Sequence, residues 1–306
     1  MALPTITGGT FAGKNAGFYI SAALKEANSL SFMTSMENVK YKAVIQKMES
    51  GSEMADGTCD FTTAGTLVLT EAVITPKELQ VNLEICSQNL LDSWESLQMR
   101  AGAGAPPPAS FDDYLISHLA GRISQGVENA IWAGNDATGG SFTGLTTATV
   151  GRLVTDATVV DVANVGGAAT AFSAANIIEN LQNATAAIPT NVYTKEDLYI
   201  YMSPKSYRLY ISAISTLGYV NAYSMNGDYD AVFEGIKIAV CNGFENDKLV
   251  AGEKSNFFFG TDLLSDSTNI QLLDMSGITG SQNIRLIARF TGGTQVGIGA
   301  DVVLVS

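Results

Sequence analysis

The stretch that decides the fold is Ser110 to Gly134, SFDDYLISHLAGRISQGVENAIWAG. Apolar residues recur in it at every fourth position, which is typical of a helix with one apolar face. Ser110 precedes this repeat and has an acid three residues on, as in a capping box, so it is the predicted N-cap. Gly134 is predicted to end the helix as a left-handed cap. The sequence therefore predicts a long helix over 110–133 that another layer must cover. The apolar stripe consists of Leu115, Leu119, Ile123, Val127 and Ile131.

The composition indicates a packed, strand-rich protein. The chain has 306 residues, of which 46% are hydrophobic, 15% are charged and 30 are glycine. This length allows one large domain or two modest ones. The net charge of −13 argues against tight binding of a nucleic acid backbone, which requires clustered lysine and arginine.

The three cysteines, Cys59, Cys86 and Cys241, are widely spaced and odd in number. They predict no disulfide framework and no zinc site, so a reducing cytoplasm is the default compartment. The first ten residues lack the basic start and apolar run of a signal peptide, so none is expected. No apolar run approaches the length of a membrane span.

A long hairpin is predicted ahead of the helix. Residues 39–49 are predicted to form one strand, and 66–74, rich in β-branched residues, a second. An acidic, glycine-containing turn region at 50–65 joins them. No third strand flanks them in the sequence. Because an isolated hairpin is marginal in water, this one is predicted to need a partner surface.

The rest of the chain alternates strands with short helices. Ser173 is predicted to cap a helix that Pro189 ends, and Ser203 and Pro204 are predicted to begin another. Gly292 and Gly293 are predicted to form a tight hairpin turn between the last two strands. The further predicted strands are 79–85, 198–202, 235–240, 257–259, 270–274, 284–290 and 295–305.

Catalytic and cofactor motifs are absent from the sequence. His118 is the one histidine, and its place beside the apolar stripe predicts a packed or surface helix residue. No serine-hydrolase, zinc-protease, paired CxxC or EF-hand motif occurs. Gly8 to Asn15 nearly matches a phosphate loop, but Asn15 replaces the magnesium-binding Ser or Thr, and no strand precedes it. We therefore predict no catalytic residue, no cofactor and no metal.

The order of these elements resembles the major capsid protein of tailed double-stranded-DNA phages, the HK-97-type shell fold. In that family a hairpin precedes a phrase that begins with Pro-Lys and continues with a serine and an acidic, leucine-containing run. A long spine helix follows, which ends in an acid, an apolar pair and a glycine, with Gly-Leu downstream. A strand followed by Ser-Pro and a helix comes later. The matching positions here are 76–79, 87–93, Glu128, Ile131, Trp132, Gly134, Gly144, Leu145, 198–210 and 235–240.

The resemblance implies an α+β capsid fold with four parts. Residues 1–36 would be an N-terminal arm and 37–75 the extended hairpin loop. Residues 76–172 and 251–306 would form a peripheral domain around the spine helix at 110–133. Residues 173–250 would form the axial domain.

The resemblance also implies a structural function. The chain would self-assemble into hexamers and pentamers of an icosahedral shell around packaged double-stranded DNA, which it would enclose without sequence-specific binding. Scaffold, portal and decoration proteins are possible partners, and no membrane is involved. The protein would be located in the virion after assembly in the bacterial host cytoplasm. Some family members cross-link subunits through a lysine, which the hairpin tip at 50–57 lacks.

Two alternatives remain open at this point. An encapsulin, a bacterial compartment that encloses an enzyme, shares this fold, and a well-formed helix across 1–36 would favour it. A more remote alternative is an enzyme or a carbohydrate-binding β protein. The missing acid–base constellation counts against the enzyme, and the long capped helix counts against the carbohydrate-binding protein.

Charge suggests one inter-subunit contact. Three acids near the hairpin tip would repel each other unless a basic surface of the next subunit faces them. Alternatively, the acids only keep an exposed turn solvated. The predicted acids are Glu49, Glu53 and Asp56, and the predicted basic partners are Lys77, Arg285 and Arg289.

Overall fold

The structure, a computed structural model, describes residues 28–50, 54, 56–57, 59, 67–86, 109–167, 170–216, 232–262, 270–275 and 279–306. Of these, the side chains of 49, 50, 109–115 and 270 are not described. Most of the predicted arm and most of the turn region of the hairpin lie outside these ranges.

The long helix is present as α1, Ala109–Ala133. It begins one residue earlier than predicted, so Ser110 lies inside the first turn and is not the N-cap. The stripe prediction is confirmed where side chains are described: Leu119, Ile123 and Ile131 are buried in the core. This burial explains why the helix forms, because most helical stability in proteins comes from packing an apolar face.

The C-terminal end of α1 is capped differently from the prediction. Gly134 does not have a positive φ; instead, a Cβ at this position would collide with the Phe142 carbonyl oxygen on the loop that returns to the helix end. A returning loop donates to the free carbonyls of the helix end, with Gly144 N–H 2.9 Å from Gly134 O and Leu145 N–H 2.9 Å from Ile131 O. Glycine is needed for this close approach of two backbones, not for a left-handed turn.

Gly144→Ala is expected to destabilise the subunit by about 2–3 kcal/mol. The added Cβ would lie 2.5 Å from Trp132 O and 2.6 Å from Gly134 N, so the returning loop must move off the helix end. Urea denaturation of the subunit measures the change. Gly126→Ala is the matched control: it is an exposed helix position with open space around it, and alanine there should stabilise by up to about 1 kcal/mol. Equal losses in both variants would contradict this account.

Strands and short helices form the rest of the described chain. The strands are β1 Thr34–Met36, β2 Ala43–Ser50, β3 Leu67–Ile74, β4 Lys77–Cys86, β5 Val160–Val162, β6 Leu198–Met202, β7 Val232–Phe233, β8 Ile236–Val240, β9 Leu249–Glu253, β10 Phe257–Gly260, β11 Ile270–Asp274, β12 Asn283–Val296 and β13 Val303–Val305. The helices after α1 are α2 Arg152–Thr155, α3 Ile177–Ala187, α4 Thr190–Tyr193 and α5 Pro204–Thr216.

A five-stranded sheet covers α1. Its order is β1-β10-β12-β11, and β4 also pairs with β12. The first half of β12 alternates strictly, with Ile284, Leu286 and Ala288 buried and Arg285 and Arg289 exposed. The buried face belongs to the same core cluster as the apolar stripe of α1, so this sheet is the layer that the helix requires.

The predicted turn at Gly292–Gly293 is wrong. β12 runs through both glycines as one strand of 14 residues. A Cβ on Gly293 would lie 3.0 Å from the Pro76 Cα, so the glycine allows the base of the hairpin to cross the strand closely. The predicted strand at 295–305 is correspondingly divided into the end of β12, a 3-10 turn at Gly299–Asp301 and β13.

A six-stranded mixed sheet of order β5-β13-β9-β6-β8-β7 forms the second layer. In β6, Leu198, Ile200 and Met202 contact one core cluster, whereas Tyr201 contacts the other. Burial on both faces explains why β6 has no alternation of apolar and charged residues. β13, from the C-terminal tail, lies in this sheet beside β9. The division into peripheral and axial domains stays a prediction.

Of the two predicted starts of short helices, one is confirmed and one is wrong. Ser203 caps α5 as predicted, accepting from the Ser206 N–H at 3.2 Å. The helix predicted to begin after Ser173 instead begins at Ile177, with Asn176 at its N-cap. The Asn176 carboxamide oxygen accepts from the Ser173 N–H at 2.7 Å. That side-chain contact supports a turn, which competes with an earlier helical start.

Candidate assembly surfaces

The hairpin of β2 and β3 is a two-stranded sheet of its own. The strands pair in register from Ala43 opposite Ile74 to Ser50 opposite Leu67. Within the described residues no further strand joins them. This confirms the two predicted strands, of which the first begins at Ala43 and not at 39. The ribbon they form is marginal without a partner.

The base of the hairpin is fixed to the five-stranded sheet. Ile74 is fully buried, and its Cδ1 lies 2.7 Å from where a Cβ on Gly260 would be. Gln295 Nε2 donates to Val73 O at 3.2 Å, which joins β3 to the end of β12. The ribbon is therefore anchored at its base, and its far end leaves the subunit.

One face of the ribbon carries most of its exposed apolar side chains. Directly opposed residues of an antiparallel pair share a face, which places Met48 with Leu69 and Val44 with Val73. The exposed members are Val44 at 48%, Met48 at 67%, Leu67 at 61% and Leu69 at 72%. We call Val44, Met48, Leu67 and Leu69 the apolar hairpin face. The opposed pair Gln46 and Glu71 lies on the same face and separates Val44 from the other three, so the contiguous apolar patch is at the outer end of the ribbon. An exposed apolar patch of this kind is typical of an interaction surface.

Of the predicted acids, the structure places two. The backbone of Glu49 lies near the outer end of β2, opposite Val68. Asp56 is exposed in the turn region. The side chain of Glu49 and the whole of Glu53 lie outside the described part of the chain, so the repulsion between the acids stays a prediction.

The predicted basic residues do not form one patch. Lys77 forms an ion pair with Asp136 of its own subunit, and Arg285 pairs with Glu84 at 3.4 Å. In the β4–β12 ladder Lys77 is opposite Gly292, and Gly292 is seven residues along β12 from Arg285. That offset is about 23 Å along the strand, and an odd offset puts the two side chains on opposite faces.

Arg289 shares the exposed face with Arg285. It lies opposite Gln80 on β4 and is itself exposed. The docking of the tip acids on these two arginines stays a prediction, as does any role of Lys77.

A cavity that the sequence did not indicate lies beside the hairpin base. Its volume is about 270 Å³, and it holds two cations, Lys77 and Arg152, with one acid, Asp136. The Arg152 Nε is buried and has no hydrogen-bond partner in the described part of the chain. Burial lowers the pKa of Arg152, and the neighbouring Asp136 acts in the opposite direction. The other lining residues are Thr75, Pro76, Phe142, Thr143, Gly293 and Thr294.

A buried polar cluster attaches the inner end of the arm to α1. Glu128 is fully buried and accepts from Ser29 N–H at 3.1 Å, Ser29 Oγ–H at 2.5 Å and Gly243 N–H at 3.0 Å. Trp132 Nε1–H donates to Ser29 Oγ at 2.6 Å. Sequence reasoning found Glu128 and Trp132 only as parts of a motif and missed Ser29, because no local pattern links residues a hundred positions apart.

The thiols are all free. Cys241 lies beside this cluster, and burial raises its pKa to about 12, so it stays a neutral thiol at physiological pH. Among the residues that the structure describes, no group of three metal-ligating side chains occurs. In the same ranges, no helix has both the length and the hydropathy to cross a membrane.

Comparisons with known proteins show the fold. No family model and no curated protein matches the sequence. Solved capsid structures match nearly the whole chain. The capsid of the native GTA particle has a TM-score of 0.66 at 16% identity, covering 99% of each chain. The chain has the fold of a capsid subunit.

Two further structures with this capsid fold come from other phages. The capsid of Myoviridae phage XM1 has a TM-score of 0.61 at 13% identity, covering 96% of each chain. A structure from Mycobacterium phage Che8 has a TM-score of 0.57 at 10% identity, covering 100% of this chain and 98% of that one. The mixed α+β prediction is thereby confirmed. The helix that would distinguish an encapsulin falls in 1–36, mostly outside the described residues.

Proposed function

We propose that this chain is a major capsid protein that self-assembles into hexamers and pentamers of an icosahedral shell. The observation that carries the proposal is the likeness to capsid subunits over nearly the full length of both chains. The apolar hairpin face supports it, because that face has no cover within the described part of its own subunit. The fold and the exposed apolar side chains are both expected of a subunit whose hairpin is covered by neighbouring subunits.

We propose for the subunit the same four parts that the sequence predicts. We assign 1–36 to the arm, 37–75 to the hairpin loop, 76–172 and 251–306 to the peripheral domain, and 173–250 to the axial domain. Two buried clusters support a division into two parts. One surrounds α1 and the five-stranded sheet, and the other lies between α3, α5 and the six-stranded sheet. Strands β5 and β13, from the ranges given to the peripheral domain, pair within the six-stranded sheet.

The proposed partners are other copies of the chain, with packaged double-stranded DNA enclosed in the shell. The net charge of −13 is compatible with an inner surface that does not adhere to the DNA. Scaffold, portal and decoration proteins complete the proposed set. The protein acts in the virion after assembly in the bacterial cytoplasm, and its role is structural and not enzymatic.

The test is assembly of the purified chain with and without changes on the hairpin. The parent, alone or with its scaffold, is expected to form rings, tubes or shells in sedimentation and negative-stain microscopy. Met48→Ser with Leu69→Ser should leave the subunit folded but raise the concentration needed for assembly at least 100-fold. Each buried side chain of this size contributes about 1.5–3 kcal/mol to association.

The matched control is Tyr193→Ser, an exposed position on α4 that belongs neither to the hairpin nor to the lining of the cavity at its base. It should assemble at the parent's concentration. A parent chain that remains a compact monomer at every concentration, with scaffold present, would overturn the proposed function. A hairpin variant that assembles like the parent would show that the apolar hairpin face is not an assembly surface.

A further inference from the structure

The cavity at the hairpin base carries an unbalanced positive charge. Lys77 and Arg152 supply two cations, and Asp136 supplies one carboxylate. That carboxylate is already engaged, because it accepts from Lys77 Nζ, which also donates to the Asp136 backbone oxygen at 3.1 Å. One positive charge is therefore in excess in the cavity. The Arg152 guanidinium is the cation with an unsatisfied donor, because its Nε is buried and has no partner in the described part of the chain.

An unpartnered buried guanidinium nitrogen is unfavourable. Arginine stays protonated in proteins, so it cannot relieve the burial by losing its charge. Leaving a charged donor without an acceptor costs more than leaving a neutral one. The group that best relieves this cost is a carboxylate, which accepts two parallel hydrogen bonds from a guanidinium.

The cavity is already formed in the subunit. Arg152 N–H donates to Gly144 O at 3.0 Å, on the same loop that caps α1. Thr294 Oγ1 donates to Thr143 O at 2.7 Å, which joins the same loop to β12. These bonds fix the walls before any partner arrives, so binding would cost little conformational entropy.

A carboxylate of the hairpin tip cannot reach this cavity in its own subunit. Thr75 and Pro76, at the base of the hairpin, line the cavity, whereas Asp56 lies in the turn region beyond the outer ends of β2 and β3. Each of these strands has eight residues, about 27 Å of extended chain. Only a second copy can bring its tip acid to the base of this hairpin.

We propose that the cavity lined by Arg152 and Lys77 receives a tip carboxylate, Asp56, of a neighbouring copy of the chain. This inference rests on the proposed function, because it requires subunits side by side. Two observations favour a second copy as the source. Acids outnumber basic residues 30 to 17, so cationic sites are scarce on the partner. The cavity also adjoins the ribbon whose apolar face needs cover.

A cysteine pair tests the contact directly. Asp56→Cys and Thr143→Cys are combined with Cys59→Ser, which removes the exposed natural thiol near the tip. Assembled particles are oxidised with oxidised glutathione and run on a non-reducing gel. We expect a ladder of covalently joined subunits. The control pairs Asp56→Cys with Thr190→Cys, an exposed position that does not line the cavity, and should give no ladder.

A double-mutant cycle supplies the second readout. Arg152→Gln, and separately Glu49→Gln with Glu53→Gln and Asp56→Asn, should each raise the free subunit concentration at equilibrium with shells about tenfold at low salt. Combined, they should add little, because both remove the same contact. High salt should shrink the difference from the parent.

The outcomes separate the inference from the proposed function. Parent particles that form but give no ladder, or effects that simply add, would overturn the inference alone. A loss seen only in DNA-filled particles would assign the cavity to a phosphate and also overturn it. A parent that never assembles would overturn both. If Arg152→Gln also weakens the isolated subunit, the cysteine ladder still decides.

Discussion

Replacing Ile123 with aspartate is expected to give subunits that do not fold into soluble protein. Ile123 is 5% exposed, and its neighbours in the core are apolar side chains of α1 and the covering sheet. The change removes an apolar side chain and buries a carboxylate without a partner, which together cost about 5 kcal/mol or more. That loss is comparable with the entire stability of many domains. The soluble fraction after expression measures it.

Two variants in the same turn of the helix separate burial from other causes. Arg122→Asp places the same side chain at an exposed position and should remain soluble and assemble. Ile123→Val removes a single methylene group and should cost only about 1 kcal/mol. Soluble, assembling Ile123→Asp would show that the apolar stripe of α1 does not face the core.

Glu128→Ala is expected to destabilise the subunit by about 3 kcal/mol and to release the inner end of the arm. The carboxylate accepts three hydrogen bonds, two from Ser29 and one from Gly243 N–H. Removing it leaves buried donors without acceptors, at about 1–3 kcal/mol each. Urea denaturation measures the stability, and limited proteolysis ahead of Ser29 measures the release of the arm.

The matched control is Glu179→Ala, which removes an exposed glutamate from α3. It should change stability by less than about 0.5 kcal/mol. If the two variants unfold at the same urea concentration and are cut at the same rate, the Glu128 cluster does not hold the arm.

Local pattern in the sequence was sufficient for several elements. The four-residue repeat placed the long helix within one residue of its observed start, because one buried face is enough to specify helical periodicity. The two strands of the hairpin were placed by β-branched runs around a polar turn. The Ser203–Pro204 start of α5 was also local, because its cap lies within three residues.

Contacts between distant segments decided the rest. Gly292 and Gly293 signal a turn when only their neighbours are considered, yet they lie in a strand because Pro76 crosses there. Gly134 was expected to favour a left-handed cap, but the loop at Gly144 imposes a close approach instead. In both cases the sequence correctly indicates that the position requires glycine. The physical cause of that requirement is a contact with a segment that is distant in the sequence.

The candidate sites show the same division. Net charge and hairpin acidity are properties of the sequence, and they suggested a basic partner surface. Which basic residues remain available depends on pairing within the subunit, and that pairing engages Lys77 with Asp136 and Arg285 with Glu84. Arg152 has no motif around it, and only the meeting of its short helix with the hairpin base leaves its Nε buried and unpartnered. Periodicity and turn chemistry are local and can be predicted from sequence, whereas pairing and burial require the folded chain.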